Sequence, residues 1–192
     1  MRTLKLQMQV SLDGFVAGAN GEMDWMVWDW DDELKEYVTN ITTPVDCILL
    51  GRVLAEGFIP TWAGLAATSK TPDEDGSQKM NDTPKVVFSK TLTEADIENA
   101  DWQRTTLAQG DIAEEIKRLK EQSGGDIIAY GGGTFVSNLI KHNLIDDYYL
   151  FVNPAALGGG MSIFAALENK LPLNLVRAQS FPCGIVALHY KP

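Results

Sequence analysis

The fold of this chain is decided by the stretch Ile127-Ile128-Ala129-Tyr130-Gly131-Gly132-Gly133-Thr134-Phe135. An apolar run typical of a buried strand ends in three glycines, and a segment with helical spacing follows. Glycine leaves room for a ligand to approach the backbone, and a helix N-terminus adds N–H groups and partial positive charge. The stretch therefore outlines a cradle for an anion such as a pyrophosphate. Because the spacing differs from GxGxxG, it fits a tight turn with positive φ equally well.

Strands and helices alternate on both sides of this stretch. Apolar or alternating runs predict strands at 3–12, 45–50, 85–89, 126–130, 147–152 and 185–190. Three-and-four spacing of apolar residues predicts helices at 30–42, 110–122 and 134–142. This order indicates an α/β fold with three layers, in which a mainly parallel sheet carries helices on both faces and the last strand adds an antiparallel edge.

One long segment lacks any periodicity. Residues 63–83 include Thr68, Ser69, Thr71-Pro72-Asp73, Gly76 and Asn81, and they predict a surface loop. No internal repeat or linker interrupts the rest of the chain. We therefore expect one domain over residues 1–192, and the hydrophobic content of 45% is enough for a sizeable core.

The bulk composition disfavours several classes of partner. Sixteen Lys and Arg against 26 Asp and Glu give a net charge of -10, which repels nucleic acid and anionic membrane surfaces. The sequence shows no secretory pattern after Met1 and no apolar run of the ~20 residues that a spanning helix needs, so we expect a cytoplasmic protein. Cys47 and Cys183 show no CxxC or Cys/His spacing, which favours two reduced thiols and no metal site.

Two further strand ends offer groups that bind phosphate. Gly51-Arg52 places a guanidinium at the start of a helix, where it can make paired hydrogen bonds. Ser89-Lys90 offers a hydroxyl and an ammonium that suit an extra phosphate, such as the 2′-phosphate of NADP. Each pair alone also fits an ordinary solvent-exposed contact. Parallel sheets bind ligands at the carboxyl ends of their strands, so Gly51, Ser89 and Gly131 should converge on one crevice.

Five motifs in this order resemble the dihydrofolate reductase-like superfamily, and more closely its branch related to the C-terminal reductase domain of bacterial riboflavin biosynthesis. The motifs span nearly the whole chain. They are Ser11-Leu12-Asp13-Gly14-Phe15-Val16-Ala17, Asp46-Cys47-Ile48-Leu49-Leu50-Gly51-Arg52 with Glu56-Gly57-Phe58, Val87-Phe88-Ser89-Lys90, Gly131-Gly132-Gly133, and Asp146-Asp147 through Pro154-Ala155-Ala156-Leu157-Gly158-Gly159-Gly160.

The resemblance implies a dihydrofolate reductase-like fold and hydride transfer from NADPH. It also implies a cis peptide between Gly131 and Gly132 and a homodimer whose contact lies near residues 148–157. By the same likeness, the nicotinamide is flanked by Val16 and Ala17, and the 2′-phosphate is held by Ser89 and Lys90. The other phosphates are held by Gly51, Arg52, Val53 and Leu54, and the pyrophosphate is covered by Gly131, Gly132, Gly133, Thr134 and Phe135.

The chain departs from the folate enzymes where they bind substrate. Leu54 occupies a position at which those enzymes usually have a phosphate-binding Thr. Phe151 lies near the position at which they have a Thr that supports their catalytic acid. Residues 24–32 contain four acids and three Trp, and none of the acids aligns clearly with the single catalytic acid of those enzymes. These differences argue against folate. The acids would also repel a phosphorylated substrate. A riboflavin-pathway reductase of a pyrimidine ribosyl phosphate is therefore the second choice of function, kept as the alternative.

The acidic, tryptophan-rich segment supplies the candidate catalytic residues. Asp24 and Asp31 are candidate proton donors, since burial beside Trp25 or Trp28 would raise the pKa of a carboxyl. Asp31 can equally cap the helix that follows. Trp25 and Trp28 are candidates for a pocket wall that stacks on a planar ring, or they pack in the core.

The sequence therefore predicts an NADPH-dependent oxidoreductase that acts on a small planar heterocyclic or carbonyl/imine substrate. Two rival functions are a non-catalytic nucleotide-binding protein and a sugar- or flavin-binding module. Leu54, in place of the phosphate-binding Thr of the folate enzymes, supports the non-catalytic nucleotide-binding protein. The second rival predicts no preference for a 2′-phosphate, so a Lys90→Ala substitution separates it from the reductase.

Overall fold

An eight-stranded sheet forms the centre of the computed structural model, which describes residues 1–71 and 76–192. The strand order is β4-β3-β2-β5-β1-β6-β8-β7. The first six strands of this order are parallel, and β8 and β7 are added antiparallel at one edge. The strands are β1 (Leu4–Val10), β2 (Val45–Gly51), β3 (Lys85–Phe88), β4 (Thr105–Ala108), β5 (Asp126–Gly131), β6 (Asp147–Val152), β7 (Asn174–Ser180) and β8 (Val186–Lys191).

Helices cover both faces of this sheet. They are α1 (Asp32–Thr42), α2 (Arg52–Thr68), α3 (Ser77–Asp82), α4 (Glu94–Asn99), α5 (Ile112–Glu121) and α6 (Gly133–Lys141). Successive side chains of a strand point to opposite faces, so Leu49 packs in the core layer beneath α5 and α6, whereas Leu50 packs in the layer beneath α1 and α2. The predicted three-layer, mainly parallel sheet with an antiparallel edge is confirmed.

The expected surface loop at 63–83 is wrong over most of its length. Helix α2 continues through Pro60 to Thr68, and α3 occupies Ser77–Asp82. Gly57, Pro60 and Gly64 interrupt the apolar spacing of α2, so the sequence indicates where this helix starts but not how far it extends. The part of the predicted turn formed by Pro72 and Asp73 lies outside the described residues.

Two strands were not predicted from the sequence. Strand β4 has only four residues, and two of them are threonine. Strand β7 forms the outer edge of the sheet and is exposed along almost its whole length, including Leu175 and Val176. Neither strand has the buried, alternating pattern by which strands are recognised.

Strand β6 is an inner strand, between β1 and β8. Tyr148 and Phe151 are completely buried within one chain, which leaves them no surface for a partner. The homodimer and its expected contact near residues 148–157 stay predictions, and these two side chains are not available for it. Cys47 and Cys183 are free thiols, as expected. No helix within the described ranges is long and apolar enough to cross a membrane.

Candidate active site

Three strand ends meet at one edge of the sheet, because β3, β2 and β5 are parallel neighbours. A Cβ atom added at Gly51 would lie 2.8 Å from the Cβ of Phe135, and one added at Gly132 would lie 3.7 Å from the Cα of Gly51. The strand ends at Gly51 and at Gly131–Gly133, which we call the glycine junctions, are therefore packed against each other. The sequence predicted this convergence, and the structure brings these residues together.

The triple-glycine turn is made by positive φ angles. Gly131 has φ 141° and Gly132 has φ 45°, conformations that residues with a Cβ rarely adopt. The described residues contain no cis peptide bond, so the cis link expected between Gly131 and Gly132 is wrong. Glycine's freedom at φ allows the chain to turn here through trans bonds.

Two helices begin at these glycines without a side-chain cap. Helices α1, α4 and α5 start at Asp31, Thr93 and Asp111, whose side chains accept from the backbone N–H groups of the first turn. Helices α2 and α6 start at Gly51 and Gly132 and have no such bond. First-turn N–H groups have no acceptor within their own helix. Two neighbouring N-termini therefore present donors and partial positive charge, and phosphate groups fit this arrangement.

Two cations flank this cradle. Arg52 is exposed at the first position of α2, and its Nη1 donates to Glu56 Oε1 at 2.6 Å. Lys90 Nζ donates to the carbonyl oxygens of Gln109 and Gly110, at 2.7 and 3.0 Å. A guanidinium has five N–H donors and an ammonium has three, so both groups keep donors for a phosphate.

The residues around Lys90 are held by local contacts. Ser89 Oγ accepts from the backbone N–H groups of Thr91 and Leu92, at 3.1 and 3.0 Å, which fixes the hydroxyl at the end of β3. The Phe88 ring stacks on Phe135, with 4.8 Å between the ring centroids. This stack, which sequence reasoning missed, joins the end of β3 to the first turn of α6.

The loop after β1 borders the triple glycine. A Cβ at Gly133 would lie 4.0 Å from Val16 Cγ2. Val16 N donates to Met161 O at 2.8 Å, and Met161 N donates to Ala17 O at 2.9 Å. Val16 and Ala17 are buried, whereas Val53 is exposed and Leu54 packs under Gly131. The expected contacts of these four residues with a cofactor stay predictions.

Asp13 joins this loop to the segment after β6. Its carboxylate accepts from Ser11 Oγ at 2.6 Å and from the backbone N–H groups of Leu157 and Gly158. The Ser11 hydrogen bond, followed by those from Leu157 and Gly158, lowers the pKa of Asp13 to about 2. In the sequence, Asp13 is notable only as a member of the first motif, which does not indicate this function of its carboxylate.

Asn153 attaches the tryptophan-rich segment to the sheet. Its side chain is completely buried, and Oδ1 accepts from Val27 N at 2.8 Å. Its Nδ2 donates to Gln9 Oε1 at 2.7 Å and to Phe151 O at 3.1 Å. In the sequence, this residue is only a single amide at the end of an apolar strand, and nothing else marks it.

The three tryptophans of this segment have different environments. Trp28 is 65% exposed, whereas Trp25 is half-buried and donates from Nε1 to Glu22 O at 3.1 Å. The Trp30 ring is parallel to that of Phe151, with 6.4 Å between centroids, so Trp30 is half-buried and packs against the core. Trp28 is therefore free to contact a ligand, and the placement of Trp25 and Trp28 in a substrate pocket stays a prediction.

The two candidate proton donors also differ. Asp24 is exposed, whereas Asp31 caps α1 by accepting from Leu34 N, and it also accepts from Cys183 N in the turn between β7 and β8, each at 2.9 Å. Burial acts to raise the pKa of Asp31, but these hydrogen bonds outweigh it and hold the pKa below its ordinary value. An ionised cap is a poor proton donor, so the capping role of Asp31 fits the structure better. Over the parts of the chain that are described, no three metal-ligating side chains cluster.

Residues 2–187 match the family model described as the RibD C-terminal domain. The chain belongs to this family. Among the relatives of this RibD C-terminal domain protein is the uncharacterised YyaP of Bacillus subtilis, 30% identical over 98% of this chain and 94% of the relative. The riboflavin biosynthesis protein RibD of Corynebacterium ammoniagenes is 25% identical over 86% of this chain, and the match covers 47% of that protein.

Solved structures confirm the fold of the RibD C-terminal domain here. A protein of Shewanella sp. PV-4, provisionally assigned to riboflavin biosynthesis, has a TM-score of 0.70 and 23% identity over 100% of this chain and 98% of its own. A Thermotoga maritima protein has a TM-score of 0.67 and 17% identity over 100% of this chain and 56% of its own. That protein is named as a diaminohydroxyphosphoribosylaminopyrimidine deaminase and 5-amino-6-(5-phosphoribosylamino)uracil reductase.

Proposed function

We propose that this crevice binds NADPH and that the chain is a reductase of a small planar heterocyclic or carbonyl/imine substrate. The observation that carries the proposal is the adjacency of two helix N-termini that begin at Gly51 and Gly132 without side-chain caps. Their N–H groups suit phosphates that lie across the two junctions. Membership of the RibD C-terminal domain family and likeness in fold to a protein named as a reductase support the chemistry.

The residues around the cradle have separate tasks in this proposal. NADPH supplies a hydride when it is bound. Gly133, Thr134 and Phe135 donate backbone N–H groups to the pyrophosphate, and Arg52 adds a charged donor. Ser89 and Lys90 hold the 2′-phosphate. The Phe88–Phe135 stack keeps the Lys90 end of the crevice at a fixed distance from the glycine turn.

The loops after β1 and β6 orient the reacting groups and exclude water. Val16 lies beside Gly133, and Asp13 and Asn153 hold the surrounding loops in place. Asp24 is the candidate for proton delivery, because Asp31 is committed to its helix cap. Cytoplasmic location and a homodimer accompany this proposal as predictions.

Fluorescence titration with NADPH and, separately, NADH tests the proposal. We expect Kd values in the micromolar range for NADPH, as is typical of enzymes, and weaker binding of NADH. Lys90→Ala should weaken NADPH binding more than NADH binding, because only NADPH carries the 2′-phosphate. Lys117→Ala, which removes an exposed lysine from α5, is the matched control and should change neither. A protein that binds neither nucleotide would rule out the reductase.

Binding without turnover would favour the rival function, a non-catalytic nucleotide-binding protein. Oxidation of NADPH is followed at saturating cofactor with a panel of quinones, pterins and carbonyl compounds. We expect oxidation with at least one member of the panel. Equal losses of NADPH and NADH binding in Lys90→Ala would instead favour a module that does not recognise the 2′-phosphate.

A further inference from the structure

The loops at the carboxyl ends of β1 and β6 form one continuous surface, which we call the substrate rim and define as residues 11–31 and 153–161. Leu12 N donates to Ala155 O at 2.7 Å, and Val16 N donates to Met161 O at 2.8 Å. Asn153 then fixes Val27, so the tryptophan-rich segment is attached to the same loops. The rim borders the triple glycine through Val16.

Large apolar side chains are exposed on this rim. Nine large hydrophobic residues are exposed within the described part of the chain, and four of them lie on the rim. These four are Leu12, Met23, Trp28 and Met161, with exposures of 71, 49, 65 and 45%. Exposed apolar groups on loops that border a binding crevice are available to contact a ligand. An indole face suits a flat ring in particular.

The charges on the rim all have one sign. Neither of its two segments contains Lys, Arg or His, and the carboxylates are Asp13, Glu22, Asp24, Asp29 and Asp31. Hydrogen bonds lower the pKa of Asp13, of Glu22 and of Asp31, so these three groups are ionised near neutral pH. The cofactor side of the crevice differs, because it holds Arg52 and Lys90.

We propose that the substrate rim selects a planar substrate that carries no phosphate or other anionic group. The inference rests on the proposed reductase function and names its substrate class. A phosphate needs cationic or N–H donors, and beside five carboxylates without a cation it would be repelled. A neutral or cationic ring can contact Trp28 and Met161 without this cost. The substrate would then differ from the phosphoribosyl compound in the name of the Thermotoga maritima protein.

Two pairs of probes that differ in one anionic group test the proposal. The first pair is riboflavin and riboflavin 5′-phosphate, and the second is 1,4-naphthoquinone and its 2-sulfonate. Binding is measured by equilibrium dialysis with the protein saturated by NADP⁺, which occupies the phosphate cradle and prevents turnover. We expect the neutral member of at least one pair to bind about tenfold more tightly, with a smaller ratio at 1 M salt because of screening. Equal or tighter binding of both anionic members would overturn the proposal, as would failure of both neutral rings to bind.

A charge-reversal variant tests whether the rim carboxylates cause the preference. Asp29→Lys should raise the affinity for riboflavin 5′-phosphate about threefold or more and leave that for riboflavin nearly unchanged. Glu98→Lys makes the same charge change on α4, outside the rim, and should have no such effect. Equal effects of the two variants would contradict the assignment. If the protein does not bind NADP⁺, the proposed function itself fails; if it binds NADP⁺ and prefers the anionic probes, only the substrate class is wrong.

Discussion

A single methyl group at Gly51 would force the two glycine junctions apart. In Gly51→Ala the new Cβ would lie 2.8 Å from Phe135 Cβ, whereas nonpolar carbons in contact stand about 3.5–4.0 Å apart. The elements must therefore separate by roughly 1 Å, since neither atom is the end of a flexible side chain. Gly51 has φ −77°, which alanine adopts freely, so the cost is steric. Overpacking of this kind costs about 1–3 kcal/mol, which corresponds to a roughly 5- to 150-fold change in an equilibrium constant.

Two measurements follow this change. Urea denaturation should show a lower free energy of unfolding for Gly51→Ala, and NADPH titration should show weaker binding because the helix N-termini have moved apart. Gly57→Ala is the matched control within α2, where a Cβ would meet no atom within 4 Å. That control should gain up to about 1 kcal/mol from helix propensity. If the two variants had equal stability and equal NADPH affinity, the close packing of the junctions would be refuted.

Three other substitutions have expected outcomes. Asn153→Leu leaves the Val27 N–H without its acceptor, so it should lower the free energy of unfolding by about 1–3 kcal/mol and change Trp emission. An unchanged emission spectrum would contradict this. Asp13→Asn should remove a stabilisation that the wild type has above pH 3.8 and loses as pH falls through about 2, because folding lowers the pKa of Asp13. Thermal unfolding between pH 2 and 5 should therefore show the stabilities of wild type and variant converging at the acid end of this range. Burial lowers the pKa of Lys85 to about 8, so between pH 8 and 10.5 the unfolded chain binds more protons than the folded one and the wild type should gain stability as pH rises. Lys85→Met should lack this gain. Urea denaturation of both proteins at pH 7 and 10 measures it, and equal changes in the two proteins would contradict the prediction.

The layers of the fold and the position of the crevice could be predicted because their signals are local. An apolar run that ends in Gly131-Gly132-Gly133 marks a strand, a turn and a helix start within nine residues. The right order of strands and helices then places Gly51, Ser89 and Gly131 at one edge, since parallel strands share the direction of their carboxyl ends. The sequence predicted that a helix begins at Arg52, but not that it reaches Thr68, because Gly57 and Pro60 interrupt its apolar spacing.

Residues that organise the substrate side were harder to predict, because their partners are distant in sequence. Asn153 and Val27 are 126 residues apart, and nothing near either residue indicates that they are paired. Asp31 shows a different difficulty, because one carboxylate suits both a helix cap and a proton donor. Only its contacts with Leu34 and Cys183 decide between the two. Chemistry that depends on long-range contacts therefore has to be read from the structure.

Hydrogen–deuterium exchange with and without NADPH tests the central claim most directly, since the claim is that backbone N–H groups at the two glycine junctions hold the phosphates. We predict that saturating NADPH slows exchange in peptides that contain residues 51–54 and 131–135, while peptides from α5 exchange at the same rate. Measurable binding of NADPH with no added protection at either junction would contradict the account.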